Sequence, residues 1–482
     1  MSNHDRQWWR DAVVYQIYPR SFQDSDGDGI GDLAGVASRL DHLSWLGVDA
    51  LWLSPIYPSP QADSGYDVAD YVSVDPVYGD LEDLDELIAA AHARDIRVLM
   101  DLVVSHTSIE HPWFREHPDW YVWADEPANN WRGAFGGSAW SRDAVSGRYY
   151  LHSFYPEQAD LDWRNPEVPA AIAAVIGFWT ERGVDGFRVD AVTQLMKDPE
   201  LRDEPRALGP PPLPLHPELA ALGEVHARNH PEITLALAAL REAAGDALLV
   251  GEVYLPSSQL APYLEYFDLV FSFEFLHSPW DADALEAAIA SSAALERVAW
   301  VLSNHDFQRL AGRGGPAAGQ LAALLSLTLP GAAFIYQGDE IGILDGPGAE
   351  PAIDRAGRDA FRHPMQWEPS PTGGFTTSAK PWLPLTDPER VSVAVQRDEP
   401  GSILDLYRRL IEMRRELQGN FELLESPPGV IAFRRGAHLV AVNLGSRAQP
   451  IASSGEVLLA VGGDGLGPLA AGAGRILHLG GV

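Results

Sequence analysis

Residues 186–192 read GFRVDAV, and the run from Gly186 to Val189 has the length and apolar content of a buried β-strand. Seven further runs of this kind lie before and after it: Val13 to Tyr18, Ala50 to Leu53, Val98 to Val104, Leu248 to Val253, Leu269 to Phe273, Ala299 to Ser303 and Ala332 to Tyr336. Helical patterns lie between them; from Leu81 to Ala93 apolar residues recur at helical spacing, with Asp80 as the predicted N-cap. Eight alternations of strand and helix, with strands apolar on both faces, predict a (β/α)8 TIM barrel.

Three parts of the chain do not fit this alternation. Residues 105–164 are rich in Trp, Tyr, Pro, Gly and Asn and are too long for an ordinary loop, so they predict a domain inserted after the third strand. Gly209 to Pro217 reads GPPPLPLHP, which predicts either a stiff extended segment or a variable surface loop. After a last barrel helix from Ile403 to Leu417, short apolar runs split by Gly and Pro predict a small C-terminal all-β domain. The predicted domains are the barrel (1–104 and 165–418), the inserted domain (105–164) and the β domain (419–482).

The composition excludes several classes of protein. The 482 residues include 35 Lys+Arg and 68 Asp+Glu, a formal net charge of −33, which argues against nucleic acid and anionic lipid as partners but not against a small neutral oligosaccharide. Cysteine is absent, which excludes disulfides, thiolate metal sites and cysteine nucleophiles. The sequence shows neither a signal-like apolar stretch near Met1 nor a run long enough to span a membrane. We therefore expect a soluble, cytoplasmic protein that is a monomer or a small homo-oligomer.

Charged and polar side chains stand where the predicted strands end. The loops at the C-terminal ends of the strands build the active sites of TIM barrels, so residues there are candidates for chemistry. These candidates are Asp101 and His106 in DLVVSH, Arg188 and Asp190 in GFRVDAV, Glu252 in GEVY, and His305 and Asp306 in SNHD. Three carboxylates at one barrel mouth suit glycosyl transfer through an oxocarbenium-like transition state, in which one acid attacks, one donates a proton and a third stabilises.

Ten stretches carry a resemblance to a known family, in that family's order: AVVYQIYPRSFQDSDGDGIGDL, GVDALWLSPIYPSP, DSGYDVADY, DLVVSHTS, QADLDWRNP, GFRVDAV, GEVY, LSNHD, FIYQGDEIG and RDAFRHPMQW. Over nearly its whole length the chain resembles the α-amylase family, glycoside hydrolase family 13, and within it the α-glucosidase and oligo-1,6-glucosidase group. The resemblance implies that Asp190 is the nucleophile, that Glu252 is the general acid and then the base, and that Asp306 grips the sugar in the transition state. It also implies contacts to the non-reducing glucose from six residues: Asp63, Tyr66, His106, Arg188, His305 and Arg358.

The residue types suit these roles. Arg188 precedes Asp190 by two positions, so in a strand both side chains share a face and the guanidinium can hold the carboxylate ionised; a purely structural ion pair is the alternative. Glu252 needs a raised pKa to act as an acid at neutral pH. The two histidines can donate hydrogen bonds to sugar hydroxyls, and Tyr66 offers a flat face to the sugar ring.

The loop DSDGDGIGD, residues 24–32, predicts a cation site. Its carboxylates alternate with small residues and can converge on one hard cation, and Gly29 permits the tight turn. The twelfth position holds Gly35 instead of the glutamate of an EF-hand loop. The resemblance implies a structural Ca²⁺ held by Asp24, Asp26, Asp28, the Ile30 carbonyl and Asp32; Mg²⁺ and a solvated turn without a cation are the alternatives.

Two positions bear on differences within the family. Many α-amylases have a calcium-binding asparagine where this sequence has Ser105, which puts a second calcium in doubt. In the resembled group, alanine or threonine at the position of Ala191 goes with α-1,4 preference and valine with α-1,6 preference, because a smaller side chain leaves room for a differently angled leaving group. We therefore expect maltose to be a better substrate than isomaltose; a mere packing role for Ala191 is the alternative.

The leading prediction is a retaining, exo-acting α-glucosidase that hydrolyses the non-reducing terminal bond of short oligosaccharides through a glycosyl-enzyme. A transglucosylase, a trehalose synthase or a sucrose isomerase would use the same three acids, so the motifs do not separate these enzymes. A third class comprises sugar-binding or scaffold proteins of this fold that have lost catalysis. Its members tend to lack the acids that this chain retains.

Overall fold

A computed structural model describes residues 5–451 and 455–480. Its strands, in chain order, are β1 (Val13–Ile17), β2 (Ala50–Leu53), β3 (Arg97–Leu102), β4 (His106–Ser108), β5 (Trp123–Ala124), β6 (Trp140–Arg142), β7 (Tyr149–Leu151), β8 (Gln158–Asp160), β9 (Gly186–Val189), β10 (Leu248–Gly251), β11 (Leu269–Phe271), β12 (Val298–Trp300), β13 (Ala332–Tyr336), β14 (Phe421–Leu424), β15 (Val430–Arg435), β16 (His438–Asn443), β17 (Glu456–Val461) and β18 (Ala473–His478).

Its α-helices are α1 (Leu33–Ser38), α2 (Leu40–Leu46), α3 (Leu81–His92), α4 (Pro112–Glu116), α5 (Glu167–Glu181), α6 (Pro217–Ala220), α7 (Ile233–Ala244), α8 (Phe273–His277), α9 (Ala282–Ala293), α10 (Leu310–Gly314), α11 (Pro316–Thr328), α12 (Val393–Gln396) and α13 (Ile403–Arg414). Within the described ranges, no helix is both long and apolar enough to cross a membrane. The helix predicted after Asp80 is confirmed as α3, because the Asp80 side chain accepts hydrogen bonds from the backbone N–H groups of Glu82 and Asp83.

Eight parallel strands close into a barrel in the order β1-β13-β12-β11-β10-β9-β3-β2. Strand β1 closes the ring, because Val14 pairs with Phe334 of β13 on one side and with Ala50 of β2 on the other. These are the eight predicted strands, so the TIM barrel is confirmed. Strands β3, β10, β11 and β12 end two or three residues before the predicted limits, because their last predicted residues already belong to the loops at the barrel mouth or, for Phe273, to α8.

Two additions accompany the barrel. Between β3 and β9, strands β4 and β8 pair antiparallel, and β5, β7 and β6 form a second small antiparallel sheet. After α13, which ends three residues before its predicted limit at Leu417, the C-terminal strands form a five-stranded antiparallel sheet in the order β14-β15-β16-β18-β17. The predicted C-terminal all-β domain is therefore confirmed, while the domain boundaries at residues 105, 165 and 419 remain predictions from the sequence.

Two strand ends place acidic residues side by side. A Cβ atom on Gly186 would lie 2.5 Å from the Leu248 carbonyl oxygen, so glycine allows β9 and β10 to approach each other there. Past the strands, the backbone N–H of Asp190 donates to Leu102 O and that of Glu252 donates to Val189 O, each at 3.0 Å. Both acids therefore leave neighbouring strands at the same end of the barrel.

Candidate active site

A cavity of about 680 Å³ opens at the C-terminal ends of the barrel strands. Eight of the ten predicted catalytic and sugar-binding residues line it: Asp63, Tyr66, His106, Asp190, Ala191, Glu252, Asp306 and Arg358. The other two, Arg188 and His305, are fully buried directly behind this lining, where each contacts a predicted catalytic carboxylate. The structure thus brings all ten residues together.

Arg188 organises the first group of acids, which we call the Arg188 cluster: Arg188, Asp101, Asp190 and Glu252. Its Nη1 lies 2.6 Å from Asp190 Oδ1 and 2.7 Å from Asp101 Oδ1, and its Nη2 lies 2.8 Å from Glu252 Oε1. The predicted pairing of Arg188 with Asp190 is present. The sequence marks Asp101 as a candidate at the end of its strand, but it does not indicate that Asp101 shares the Arg188 guanidinium with Asp190.

This cluster holds protons at neutral pH. Burial raises the pKa of Glu252 to about 8, against the opposing charge of Arg188 and with help from the negative charge of Asp190. Burial also raises the pKa values of Asp190 and Asp101, and Arg188 again opposes the rise. Because Arg188 can neutralise only one of three carboxylates, the cluster retains a proton, and the pKa of Glu252 makes that residue a proton donor at pH 7.

The second group, which we call the Asp306 cluster, comprises Asp306, His305, Arg358 and Arg362. Asp306 Oδ1 accepts from Arg358 Nη1 at 2.9 Å and from Arg362 Nη2 at 3.2 Å, and its Oδ2 lies 3.1 Å from His305 Nε2. Burial favours the protonated acid, but these three neighbours outweigh it and hold the pKa of Asp306 well below its usual range. Asp306 is therefore ionised throughout the neutral pH range.

Burial sets the charge of His305, and the hydrogen bonds around its ring set which nitrogen carries the proton. Burial lowers the pKa of His305 to about 3, so the imidazole is neutral at pH 7. The side-chain amide of Gln16 lies 2.8 Å from Nδ1 and can donate to it, which leaves the proton on Nε2, facing Asp306. The Tyr66 ring stacks on His305 with centroids 5.3 Å apart, and its hydroxyl donates to Asp101 Oδ2 at 3.0 Å. Tyr66 and His305 thus join the two clusters.

Further contacts fix the remaining sugar-binding candidates. Arg358 Nη2 donates to Asp63 Oδ1 at 2.5 Å, and Gln158 Nε2 donates to Asp63 Oδ2 at 3.0 Å. His106 Nε2 lies 3.0 Å from the same Gln158 amide nitrogen. Burial lowers the pKa of His106, which keeps its ring neutral. Asp63 and His106 are therefore held in one hydrogen-bonded row along the cavity.

The sequence marked Asp101 as a candidate without a role, and it did not indicate four other contributing residues: Gln16, Gln158, Arg362 and Asp354, which accepts a hydrogen bond from Arg358. Gln16, Gln158 and Arg362 lie in stretches that carry the family resemblance, which was the only available signal. Lys197 was also missed, although it is one of two lysines in the chain. Its Nζ lies 2.7 Å from Asp160 Oδ2, so a buried ammonium ties β8 to the loop after β9.

The predicted cation loop brings three of its four carboxylates together. One carboxylate oxygen from each of Asp24, Asp26 and Asp28 lies within 4.8 Å of the others. Asp32 instead caps α1, because its two oxygens accept from the backbone N–H groups of Gly35 at 2.6 Å and Ser25 at 2.7 Å. Three hard oxygen donors that repel one another fit a divalent cation of the Ca²⁺ or Mg²⁺ type.

Comparison with known proteins gives concordant matches. The family described as "Alpha amylase, catalytic domain" matches residues 16–420. The chain is 41% identical to a probable alpha-glucosidase of Rhizobium meliloti (strain 1021), over 89% of this chain and 87% of the relative. It is 36% identical to the trehalose-6-phosphate hydrolase of Escherichia coli (strain K12), over 93% and 92% of the two chains. The crystal structure of the alpha-glucosyl transfer enzyme XgtA superposes with a TM-score of 0.91 at 36% identity, covering 98% of this chain and 99% of that one.

Proposed function

Because this chain belongs to the alpha-amylase family, glycoside hydrolase family 13, and is a retaining glycosidase that acts on sugars, we propose that it is an exo-acting α-glucosidase. Its substrates would be short oligosaccharides, from which it releases α-glucose at the non-reducing end. The observation that carries the proposal is the contrast in protonation at the cavity: Glu252 holds a proton while Asp306 does not. A retaining glycosidase needs a protonated acid beside a carboxylate that can attack, and here an ionised Asp306 adds a fixed negative charge.

In the first half of the proposed reaction, an Asp190 carboxylate oxygen attacks C1 of the glucose while Glu252 gives its proton to the glycosidic oxygen. The bond from C1 to that oxygen breaks, and the leaving sugar departs with the proton. In the second half, the Glu252 carboxylate takes a proton from water, whose oxygen attacks C1 and displaces Asp190. Two displacements on opposite faces retain the α configuration.

Asp306 and its neighbours stabilise the positive charge that develops on the sugar ring in the transition state of each step. The oxocarbenium-like ring carries positive charge, which an ionised carboxylate stabilises when it is fixed in place in advance. Arg358 and Arg362 keep Asp306 ionised and oriented, and Arg358 also fixes Asp63. The three catalytic carboxyl groups thus have separate tasks: Asp190 attacks, Glu252 carries the proton and Asp306 supplies a permanent negative charge.

Exo action is supported by an ion pair at the cavity rim. Arg355 Nη2 lies 3.0 Å from Glu157 Oε2 and Nη1 lies 3.2 Å from Oε1, so a bidentate pair links residues 105–164 to the loop after β13. Arg355 Nη2 also donates to Ala62 O at 3.1 Å, next to Asp63. A pair at this position closes the glucose side of the pocket to a longer chain.

The proposed preference for maltose over isomaltose rests on Ala191. Its backbone has φ +44° and ψ 42°, a left-handed conformation that disfavours β-branched residues, and its N–H donates to Glu252 Oε2 at 2.7 Å. Only a methyl group therefore stands beside the acid, on the side where the leaving sugar departs. Measurement of kcat/KM on both disaccharides tests the preference, and equal or reversed values would contradict it.

A transglucosylase is the second candidate, favoured by the similarity to the alpha-glucosyl transfer enzyme XgtA. It would pass glucose from Asp190 to a second sugar instead of to water. Analysis of products at high maltose, sucrose and trehalose concentrations separates the two, since hydrolysis gives free glucose and transfer gives longer or isomeric sugars. A trehalose synthase or a sucrose isomerase would be recognised in the same assay.

A neutral substrate is supported by the charges at the cavity. The arginines that line it are each paired with a carboxylate: Arg228 with Glu224, Arg355 with Glu157, and Arg358 with Asp63. A phosphorylated sugar would have to compete with these carboxylates. Comparison of trehalose with trehalose 6-phosphate tests this point, and faster hydrolysis of the phosphate ester would contradict it.

We also propose that Asp24, Asp26 and Asp28, with the Ile30 carbonyl, hold a structural Ca²⁺, to which Asp32 contributes as a ligand or as the cap of α1. A chelator is expected to lower the Tm, and re-addition of Ca²⁺ to restore it. In Asp28→Ala the Tm should fall and become insensitive to the chelator. Unchanged stability of the native chain after chelation would contradict the proposal. Cytoplasmic location and a monomeric or small oligomeric state remain predictions from the sequence.

A further inference from the structure

The proline-rich segment Gly209–Pro217 lines the same cavity as Glu252, through Pro214, Leu215 and His216. We propose that this segment is a fixed wall on the leaving-group side of the pocket, which limits the leaving group to one sugar ring. The enzyme would then prefer disaccharides to longer oligosaccharides. This inference rests on the proposed function and refines its substrate class.

The segment is stiff and anchored at its base. Five of its nine residues are proline, which fixes φ and restricts the preceding residue as well. Leu213 is only 4% exposed and packs in the same apolar cluster as Phe271 and Phe273 of the barrel. A proline-rich segment with a buried anchor has little freedom to move away from an arriving ligand.

One contact places the segment beside the acid. The Tyr254 hydroxyl donates to the Pro214 carbonyl at 2.8 Å, and Tyr254 follows Glu252 by two residues. Since Glu252 protonates the glycosidic oxygen, the leaving sugar must lie on this side of the cavity. Leu215 and His216 follow Pro214 and also line the cavity, so a leaving group that extends beyond the first ring would meet them.

The other end of the segment is held by residues 132–137. The backbone N–H of Gly137 donates to Glu218 Oε2 at 3.0 Å, and Arg132 Nη1 lies 3.8 Å from the same oxygen. The His216 ring packs against Gly136, where a Cβ atom would lie 2.5 Å from His216 Cε1. The wall therefore extends from the barrel to the loop of residues 132–137 between β5 and β6, and closes the pocket on the leaving-group side.

The first experiment measures kcat/KM on maltose and maltotriose, each divided by the value for α-glucosyl fluoride. The fluoride has no leaving sugar, so this division removes changes in the catalytic centre that are common to all substrates. In the unaltered enzyme we expect maltose to exceed maltotriose by about fivefold or more. Leu215→Ala and His216→Ala should raise the ratio of maltotriose to maltose about threefold or more, because each removes bulk from the wall.

A matched control stands one residue before the segment. Leu208 is fully exposed, and Leu208→Ala makes the same chemical change as Leu215→Ala outside the cavity. Its substrate ratio should equal that of the unaltered enzyme. An increase in Leu208→Ala as large as that in Leu215→Ala would overturn the wall, because the effect would then be general to the loop.

A second pair tests the wall without changing it directly. Gly136 and Gly137 have φ of +89° and +79°, so an alanine strains the backbone similarly at both positions. At Gly136 the new methyl group would meet His216, whereas at Gly137 nothing lies within 4 Å of it. Gly136→Ala should change the ratio of maltotriose to maltose about twofold or more, and Gly137→Ala should leave it unchanged. Equal ratios in the two variants would overturn the coupling to His216.

Two outcomes separate the inference from the function on which it rests. If the enzyme hydrolyses α-glucosyl fluoride and has equal kcat/KM on maltose and maltotriose, the segment is no barrier. If Leu215→Ala and His216→Ala lower the ratio of maltotriose to maltose, the segment binds a third ring. Either result contradicts the inference and leaves the proposed function intact. If neither maltose nor α-glucosyl fluoride is hydrolysed, both the proposed function and the inference are wrong.

Discussion

The two charged clusters at the barrel mouth both combine arginine with buried acids, but they leave those acids in opposite protonation states. The Arg188 cluster puts three carboxyl groups on one guanidinium, and burial raises the pKa of each. In the Asp306 cluster, Asp306 accepts hydrogen bonds from Arg358 and Arg362, which also contact Asp63 and Asp354, and the neutral His305 imidazole lies beside it. The pKa of Asp306 is lowered although burial acts against the ionised form. Burial favours the protonated form of every acid in the two clusters, and only at Asp306 do the neighbouring charges and hydrogen-bond donors outweigh it. One cluster can therefore exchange protons and the other supplies a constant negative charge.

The largest effect is expected from removal of the nucleophile from the Arg188 cluster. Asp190→Ala should lower kcat/KM on maltose about 10⁴-fold or more, because no carboxylate is left to form the glucosyl-enzyme. Steady-state kinetics measures the loss, and circular dichroism checks the fold. Azide should restore turnover of an activated α-glucoside and give the β-glucosyl azide, whereas near-normal activity without azide would exclude Asp190 as nucleophile.

Replacement of the proton donor should separate substrates by their leaving group. Glu252→Gln should lower kcat/KM on maltose about 10³-fold, because the glycosidic oxygen must be protonated to leave. The loss on α-glucosyl fluoride should be far smaller, since fluoride departs without a proton from Glu252. Parallel kinetics on the two substrates measures this contrast, and equal losses on both would contradict the assignment.

The Asp306 cluster should show the opposite behaviour. Asp306→Asn should lower kcat/KM about 10²-fold to 10³-fold on maltose and on α-glucosyl fluoride alike, because the lost charge stabilises the ring and not the leaving group. The same two assays measure it. A loss confined to maltose would mean that Asp306 assists proton transfer, and the division between the clusters would be wrong.

The smallest predicted effect is a shift in pH dependence. In the proposed mechanism Asp190 works ionised and Glu252 protonated, so activity should be lost as the pH falls through the pKa of Asp190, which burial and the charge of Asp101 raise. Asp101→Asn removes that charge and should move the acid limb of kcat/KM to lower pH by about half a unit. Glu252 works protonated, so activity is lost as the pH rises through its pKa of about 8.

A surface variant provides the control for this pH shift. Asp41 is 85% exposed, so Asp41→Asn removes one negative charge far from the cavity and should leave both limbs in place. Profiles of kcat/KM against pH for the two variants and the unaltered enzyme measure the difference. A shift of the acid limb to higher pH in Asp101→Asn would contradict the account.

The sequence predicted what depends on local spacing. Eight apolar runs gave the barrel, and the two-residue separation of Arg188 and Asp190 gave their contact. It did not predict that Asp101 shares the same arginine, because that contact depends on the register between β3 and β9. Arg362 reaches Asp306 across 56 residues, and no periodic pattern specifies such a contact.

The protonation states and the position of the proline-rich segment could not be predicted either. The raised pKa of Glu252 requires knowledge of its burial and of Asp190 beside it, and the resemblance implies only that the shift must exist. GPPPLPLHP predicts stiffness, but its contact with Tyr254 depends on the folded loops around the cavity.

In the proposed mechanism Asp190, held by Arg188, forms a covalent bond with glucose. Incubation with 5-fluoro-α-glucosyl fluoride slows the second displacement, and tryptic digestion isolates residues 189–197, VDAVTQLMK, in which Asp190 is the one carboxylate side chain. Mass spectrometry of this peptide should show one 5-fluoroglucosyl group on Asp190, and NMR of turnover should show α-glucose as the first product. A label on another residue, or β-glucose as the first product, would contradict the account.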